Sequence, residues 1–91
     1  MRILFRVHAI QRMFRRGIAV EDVRAVLEAG ETIEQYPDDA PYPSRFVLGW
    51  RGRRALHVVV ADNTPDDELI VITVYEPDIG QWEPGFRRRR P

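Results

Sequence analysis

The sequence predicts an α+β domain in which two N-terminal helices pack on one face of an antiparallel sheet of three to four strands. Three observations lead to this class. Apolar residues have helical spacing as far as Ala29, they alternate as in strands from Ser44 to Glu76, and Gly and Pro residues separate the two regions. With 91 residues the chain can build one core but not two, so we expect a single domain over residues 1 to 91. We expect the basic end, residues 87 to 91, to fray.

Two helices are predicted in the first third of the chain. In the first, Ile10, Met13 and Phe14 share one helix face, and Gly17 stands where a helix ends; residues 2 to 6 fit either a short strand or the start of this helix. The second covers residues 18 to 29. The acidic residues Glu21 and Asp22 favour its start, and Gly30 ends it. Its apolar stripe consists of Val23, Val26 and Leu27.

Strands follow after Gly30. Residues 31 to 36 alternate loosely, and the Pro-rich residues 37 to 43 connect them to the next strand. Three clearer strands are predicted, at Ser44 to Arg51, Ala55 to Ala61 and Leu69 to Glu76. Residues 51 to 54 are typical of a hairpin turn, and residues 62 to 67 of a longer polar loop.

Alternation along these strands assigns side chains to two faces. The face expected against the helices holds Phe46, Leu48, Trp50, Leu56, Val58, Val60, Ile70, Ile72 and Val74. The other face holds Arg45, Val47, Ala55, His57, Val59, Val71, Thr73 and Tyr75. The polar members of this second face are types that handle phosphate and protons, so we expect this face to be open to solvent or a ligand.

Composition excludes several classes of site. The chain has no cysteine, which rules out disulfides and thiolate chemistry, and no lysine, which rules out Schiff-base catalysis. Its two histidines are 49 residues apart and show no metal-ligand spacing, so we expect neither a metal nor a cofactor. No apolar run is long enough to span a membrane, and we expect a soluble cytoplasmic protein.

Charge is neutral overall but segregated along the chain. Residues 1 to 18 hold five arginines and no acid, residues 43 to 57 hold four arginines and no acid, and residues 84 to 91 hold four more. The two intervening segments, 19 to 42 and 58 to 83, hold seven acids each. The net charge of zero therefore results from cancellation between basic and acidic segments, and it is compatible with local basic surfaces.

The candidate site residues each have a functional and a structural interpretation. His57 could exchange protons near neutral pH, or it could pack between strands with its ring hydrogen-bonded to a neighbour. Tyr75 and Thr73 lie on the same face, where Tyr75 could stack a base or transfer a proton, or could simply favour the strand. Arg45 could stabilise charge on a phosphorane or could be a solvated arginine.

Two basic clusters complete the set. His8, Arg12, Arg15 and Arg16 fall on one stripe of the first helix and could grip a phosphate or an acidic partner. Alternatively the stripe faces solvent or pairs with the acids of residues 21 to 39. Arg51, Arg53 and Arg54 at the hairpin could guide a polyanion or could serve solubility alone.

Two motifs resemble a known family. "HAIQRMFRRGI" at residues 8 to 18 and "ITVYEPD" at residues 72 to 78, with "LHVV" at 56 to 59 between them, are similar to the bacterial family catalogued as domain of unknown function 4258. The resemblance extends from about residue 3 to residue 90. That family looks related to the RelE- and MqsR-like toxins, which are compact α+β ribonucleases.

The resemblance implies a metal-independent endoribonuclease toxin of a type II toxin-antitoxin system. Such enzymes cleave RNA by attack of the 2′-hydroxyl on the adjacent phosphate, and the implied partners are RNA, including mRNA on the ribosome, and an antitoxin of the MqsA (YgiT) zinc-finger type. In this assignment His57 is a general base or acid, Tyr75 its partner or a stacking platform, and Arg45 the transition-state stabiliser. The substrate-binding residues would be His8, Arg12, Arg16, Arg53 and Thr73.

One feature departs from the toxins. RelE-like toxins are strongly basic because they neutralise phosphates, whereas this chain has a net charge of zero. A neutral chain also fits a second hypothesis, a non-catalytic interaction or regulatory domain with the same fold. Burial of His57 would favour that second hypothesis, and a concave face that joins His57, Tyr75 and Arg45 would favour the enzyme.

Overall fold

The computed structural model describes all 91 residues and consists of two helices packed on a five-stranded sheet. The helices are α1 (Val7–Arg16) and α2 (Val20–Ala29). The strands are β1 (Arg2–Phe5), β2 (Glu31–Tyr36), β3 (Ser44–Arg51), β4 (Arg54–Asn63) and β5 (Glu68–Tyr75). A short 3-10 turn (Thr64–Asp66) joins β4 to β5. The α+β class with N-terminal helices on a sheet is confirmed.

The sheet is mixed, with strand order β1-β5-β4-β3-β2. Strands β2 to β5 are antiparallel neighbours, but β1 pairs in parallel with the first half of β5, from Glu68 to Val71. The expectation of three to four strands, all antiparallel, therefore needs correction. The undecided segment at residues 2 to 6 is largely a strand, and its half-buried Ile3 and Phe5 alternate with exposed neighbours because only one side of it meets the core.

Each helix ends at a predicted glycine, and a side-chain hydrogen bond caps the start of α2. Gly17 adopts a left-handed conformation with φ of 63° and its backbone N–H donates to the carbonyl groups at the end of α1. At the start of α2 the Asp22 carboxylate accepts a hydrogen bond from the Ala19 backbone N–H. This bond is the largest cause that lowers the pKa of Asp22, and the bond from Arg51 adds to it.

The hydrophobic core lies between the helices and one face of the sheet. Its members are Ala9, Met13, Ile18, Val23, Val26, Val47, Leu56, Val58, Val60, Val71 and Val74. The β4 residues are those predicted for this face, but the face assigned to β3 is wrong. Val47 lies in the core, whereas Leu48 pairs with His57 on the opposite face. The reason is the two-residue turn at Gly52 and Arg53, which pairs Arg51 with Arg54 and so aligns odd positions of β3 with even positions of β4.

A bulge explains the corrected face of β5. Val59 pairs with Thr73 but the adjacent Val60 pairs with Val71, so Ile72 is an extra residue and the alternation shifts by one at this point. Val71 and Val74 therefore both enter the core, although Val71 was expected on the opposite face.

The opposite face of the sheet is covered by the C-terminal segment, residues 77 to 91, which we call the tail. The tail doubles back on itself through backbone hydrogen bonds from Glu83 to Arg88 and from Arg90 to Gln81. Trp82 is only 1% exposed, and its packing against the rings of Phe46 and His57 holds the tail on the sheet. This face was expected to be open, and the structure corrects that expectation.

Ion pairs hold the end of the tail to β2. Arg87 pairs with Glu31, and Arg89 pairs with Glu34 at 3.0 Å. Arg90 donates a hydrogen bond to the carbonyl oxygen of Ile79. The segment for which the sequence predicts fraying thus has partners at three of its arginines. Neither helix has the length and apolar character that crossing a bilayer requires.

Candidate functional site

His57 is the centre of the polar cluster beneath the tail. Its side chain is fully buried, and the ring of Trp82 meets it edge-on at a centroid distance of 4.4 Å. Nε2 lies 2.9 Å from the carbonyl oxygen of Phe86, and Nδ1 lies 3.2 Å from the hydroxyl oxygen of Tyr75. Because a carbonyl oxygen can only accept a hydrogen bond, Nε2 carries the ring proton, and Nδ1 accepts a hydrogen bond from the Tyr75 hydroxyl group.

Burial keeps both members of this pair neutral. Desolvation is the main cause that lowers the pKa of His57, because the tail removes the water that would solvate an imidazolium. Desolvation likewise raises the pKa of Tyr75. At neutral pH the neutral phenol of Tyr75 therefore donates a hydrogen bond to the neutral imidazole of His57. Tyr75 can pass its proton to His57 only if its oxygen takes another proton at the same time.

Tyr75 connects this buried pair to solvent. A cavity of about 350 Å³ lies on its outer side. The lining residues are Arg16, Tyr75, Glu76, Asp78, Gln81, Trp82 and Arg89. A small polar ligand in this cavity would therefore meet Tyr75 but would not meet His57 directly.

Two arginines of α1 reach the same edge of the sheet. Since β1 covers only residues 68 to 71 of β5, the second half of β5 has a free edge, and α1 packs beside it. There Arg16 donates to the carbonyl oxygen of Val74 at 2.9 Å, and Arg12 donates to Oγ1 of Thr73 at 3.3 Å. Neither guanidinium has a carboxylate partner, so both positive charges remain available to an anion. We call the group Arg12, Arg16, Thr73 and Tyr75 the edge cluster.

Arg54 fixes the end of α1 against the sheet. It donates to the carbonyl oxygens of Arg16 and Gly17 and pairs with Glu76. These two carbonyl groups have no partner within the helix, so the cationic side chain satisfies them and suits the negative end of the helix dipole. This contact holds the backbone of Arg16 next to β5.

The remaining predicted site residues lie elsewhere. Arg45 pairs across the sheet with Val60, on the helix face, where its guanidinium binds Asp62 at 3.0 Å and Thr32 at 3.1 Å. The expectation that Arg45 shares a face of the sheet with His57 is therefore wrong, for the same register reason that places Val47 in the core. His8 is exposed on α1, and Arg53 is exposed at the tip of the β3–β4 hairpin.

Comparison with known proteins gives one match. Residues 5–76 match the model of a family described as Domain of unknown function (DUF4258). The chain belongs to this family. No curated protein and no solved structure matches the chain.

The DUF4258 match has a boundary that coincides with a structural one. It includes both helices, the whole of β2 to β5 and the pair His57 and Tyr75, and it ends at Glu76. The tail that buries His57 begins at the next residue and lies outside the matched region. The family region therefore carries the edge cluster, and the cover over its buried histidine comes from the segment that follows.

Several residues of the site were not singled out from the sequence. The Phe86 carbonyl group fixes the tautomer of His57, and Arg89 lies over the rings of Phe46 and Trp82 at 5.5 and 4.7 Å while it pairs with Glu34. Nothing in the spacing of the tail's aromatic residues indicates that they pack on His57. The structure contains no group of three or more potential ligands arranged to hold a metal ion.

Proposed function

We propose that this DUF4258 protein is a cytoplasmic, toxin-like endoribonuclease of a bacterial toxin-antitoxin pair that cleaves RNA without a metal, and that the edge cluster is its working site. The observation that carries this proposal is the convergence of two unpaired arginines on the free edge of β5, beside a tyrosine that joins an open cavity to a buried imidazole. Phosphodiester cleavage needs cationic donors for the phosphate and a group that relays a proton.

In the proposed reaction the 2′-hydroxyl oxygen forms a bond to phosphorus while the bond to the 5′ oxygen breaks, which leaves a 2′,3′-cyclic phosphate. The 2′-hydroxyl proton passes to the oxygen of Tyr75 as the proton of Tyr75 passes to Nδ1 of His57. The departing 5′ oxygen takes a proton from water, and His57 then returns its extra proton through Tyr75 to the hydroxide ion that remains, so that both residues end neutral. Arg12 and Arg16 offset the charge that develops on the non-bridging phosphate oxygens.

His57 has a different role here from the one first expected. With both ring nitrogens bonded and no exposed surface, it cannot touch the substrate, so it acts as a positioning residue and proton acceptor behind Tyr75. The raised pKa of Tyr75 is compatible with this scheme because the hydroxyl exchanges one proton for another and never becomes a free phenolate.

A second candidate function is a non-catalytic interaction domain with the same fold. The complete burial of His57 under the tail favours it, because a sealed imidazole with two satisfied nitrogens is also what a purely structural histidine looks like. In that case the unpaired arginines of α1 would bind a partner and cleave nothing.

Inducible expression in a bacterial host separates the two candidates. We expect wild-type protein to arrest growth and fragment RNA, and Tyr75→Phe and Arg16→Ala each to reduce cleavage about 100-fold, since a relay or a charge-stabilising donor contributes about 10²–10³ in rate. Arg24→Ala is the matched control, because Arg24 is an exposed arginine of α2 with no partner and is not part of the edge cluster. Intact RNA with folded wild-type protein would contradict the enzyme and favour the interaction domain, as would equal activity in Arg16→Ala and Arg24→Ala.

A further inference from the structure

The outward face of α1 carries an apolar stripe that nothing in the chain covers. Phe14 is 88% exposed, Val7 is 72% exposed and Ile10 is 43% exposed. Their spacing of i, i+3 and i+7 places them on one side of the helix, while Ala9 and Met13 on the other side are buried in the core. A continuous exposed stripe of this kind is typical of an interaction surface.

Uncompensated positive charge borders this stripe. Helix α1 contains no acidic residue, and neither His8 nor Arg15, which lie next to the stripe, has a hydrogen-bond or ion-pair partner. Elsewhere in the chain six arginines pair with carboxylates: Arg2, Arg45, Arg51, Arg54, Arg87 and Arg89. On α1, exposed apolar surface therefore lies beside arginines that have no carboxylate partner.

We propose that this face of α1 is the docking surface for an acidic amphipathic helix of a partner protein. Apolar residues of the partner at i, i+3 or i+4 and i+7 would cover Val7, Ile10 and Phe14, and flanking carboxylates would pair with Arg15 and accept a hydrogen bond from the ring of His8. The positive charge of the face favours a negatively charged partner, and the apolar stripe supplies most of the binding affinity.

Two other occupants fit the face less well. A second copy of this chain would bring arginines against arginines, which disfavours self-association. An RNA strand would meet the cations but would leave most of the apolar stripe in water. The proposal is independent of the ribonuclease activity, because the stripe points away from Tyr75 and an interaction domain would use it equally well.

Synthetic peptides test the proposal directly. The probe is an 18-residue helical peptide with leucines at the spacing above and glutamates beside them, and its control carries lysines in place of the glutamates. Binding to the full chain is measured by fluorescence anisotropy, and the bound surface is mapped by NMR chemical-shift changes. We expect the glutamate peptide to bind at least about 10-fold more tightly than the lysine peptide and to shift residues 7 to 16.

Variants identify the face. Phe14→Ser should weaken binding of the glutamate peptide about 10- to 100-fold, because it removes one large apolar contact, and Arg15→Glu should weaken it about 10-fold. The matched controls are Ile79→Ser and Arg24→Glu, an exposed apolar residue and an unpaired exposed arginine outside α1, and they should not change binding. Equal binding of the two peptides, or shifts confined to residues outside α1, would overturn the proposal.

The alternative occupants also have defined outcomes. If a 10-nucleotide single-stranded RNA shifts Val7, Ile10 and Phe14 and displaces the peptide, the face belongs to RNA and the proposal fails. If light scattering shows a dimer of the wild type that Phe14→Ser abolishes, the face belongs to a second copy and the proposal likewise fails.

Discussion

Replacement of Trp82 with alanine tests whether the tail is an integral cover over His57. The indole is 1% exposed and contacts the rings of His57 and Phe46, with the guanidinium of Arg89 stacked on it. Loss of a buried tryptophan costs about 3–5 kcal/mol of unfolding free energy. In a domain of this size a loss of about 3 kcal/mol lowers Tm by about 12–24 °C. We therefore expect Trp82→Ala to lower Tm by at least about 12 °C, measured by circular dichroism.

Trp50→Ala is the matched control. Trp50 also contacts the tail, through Phe86 at a centroid distance of 6.0 Å, but it is 48% exposed. Its removal should cost clearly less than that of Trp82, because about half of the side chain is already in water; the lost aromatic pair contributes about 1 kcal/mol beyond the buried area. Equal effects of the two substitutions would refute the view that Trp82 anchors the cover. A second measurement localises the loss, since hydrogen exchange in Trp82→Ala should quicken in residues 77 to 91 before it quickens in β4.

Two further predictions concern pH and packing. Because burial lowers the pKa of His57, the unfolded state binds a proton there before the folded state does, so stability should fall as pH falls below about 6.5, by at most about 1.4 kcal/mol per pH unit. Urea unfolding between pH 7 and pH 5 measures this slope, and an unchanged slope in His57→Gln would contradict the assignment. Gly49→Ala places a Cβ atom 2.8 Å from Cγ2 of Val26 and should cost about 1–3 kcal/mol in the same assay, whereas Gly80→Ala, with its nearest contact at 3.4 Å, should cost less than half of that.

The helices and the main strands could be predicted because their signals are local. Helical spacing and Gly17 place α1, and the bounds of β3 follow from alternation between a Pro-rich connection and a turn. The wrong face of β3 was also avoidable. A two-residue turn between Arg51 and Arg54 pairs Val47 with Val58, so the predicted turn already contradicted the predicted faces.

Other features have no local signal. The bulge at Ile72 inserts one residue into a run of valines and isoleucines that reads the same in either register. The pairing of β1 with β5 joins Arg2 to Glu68 across most of the chain, and the period of a four-residue segment cannot distinguish a strand from a helix start. Burial of His57 depends on the path of the tail, and a strand histidine among valines looks the same whether it is covered or open.

The net charge of zero is a poor guide to what this surface binds, because neutralisation is uneven in space. Arginines of the tail pair with the acids of β2, and arginines of β3 and β4 pair with Asp22, Asp62 and Glu76. The arginines of α1 have no carboxylate partner. Arg12 and Arg16 face the edge of β5, the apolar stripe lies on the other side of the helix, and Arg15 lies between them. A helix is about 10–12 Å across and the screening length at physiological salt is about 8 Å. Because exposed charges farther apart than the screening length interact weakly, an acidic helix bound to the stripe should change the potential at Tyr75 little, so that docking on one side of α1 and phosphate binding on the other can be tested separately.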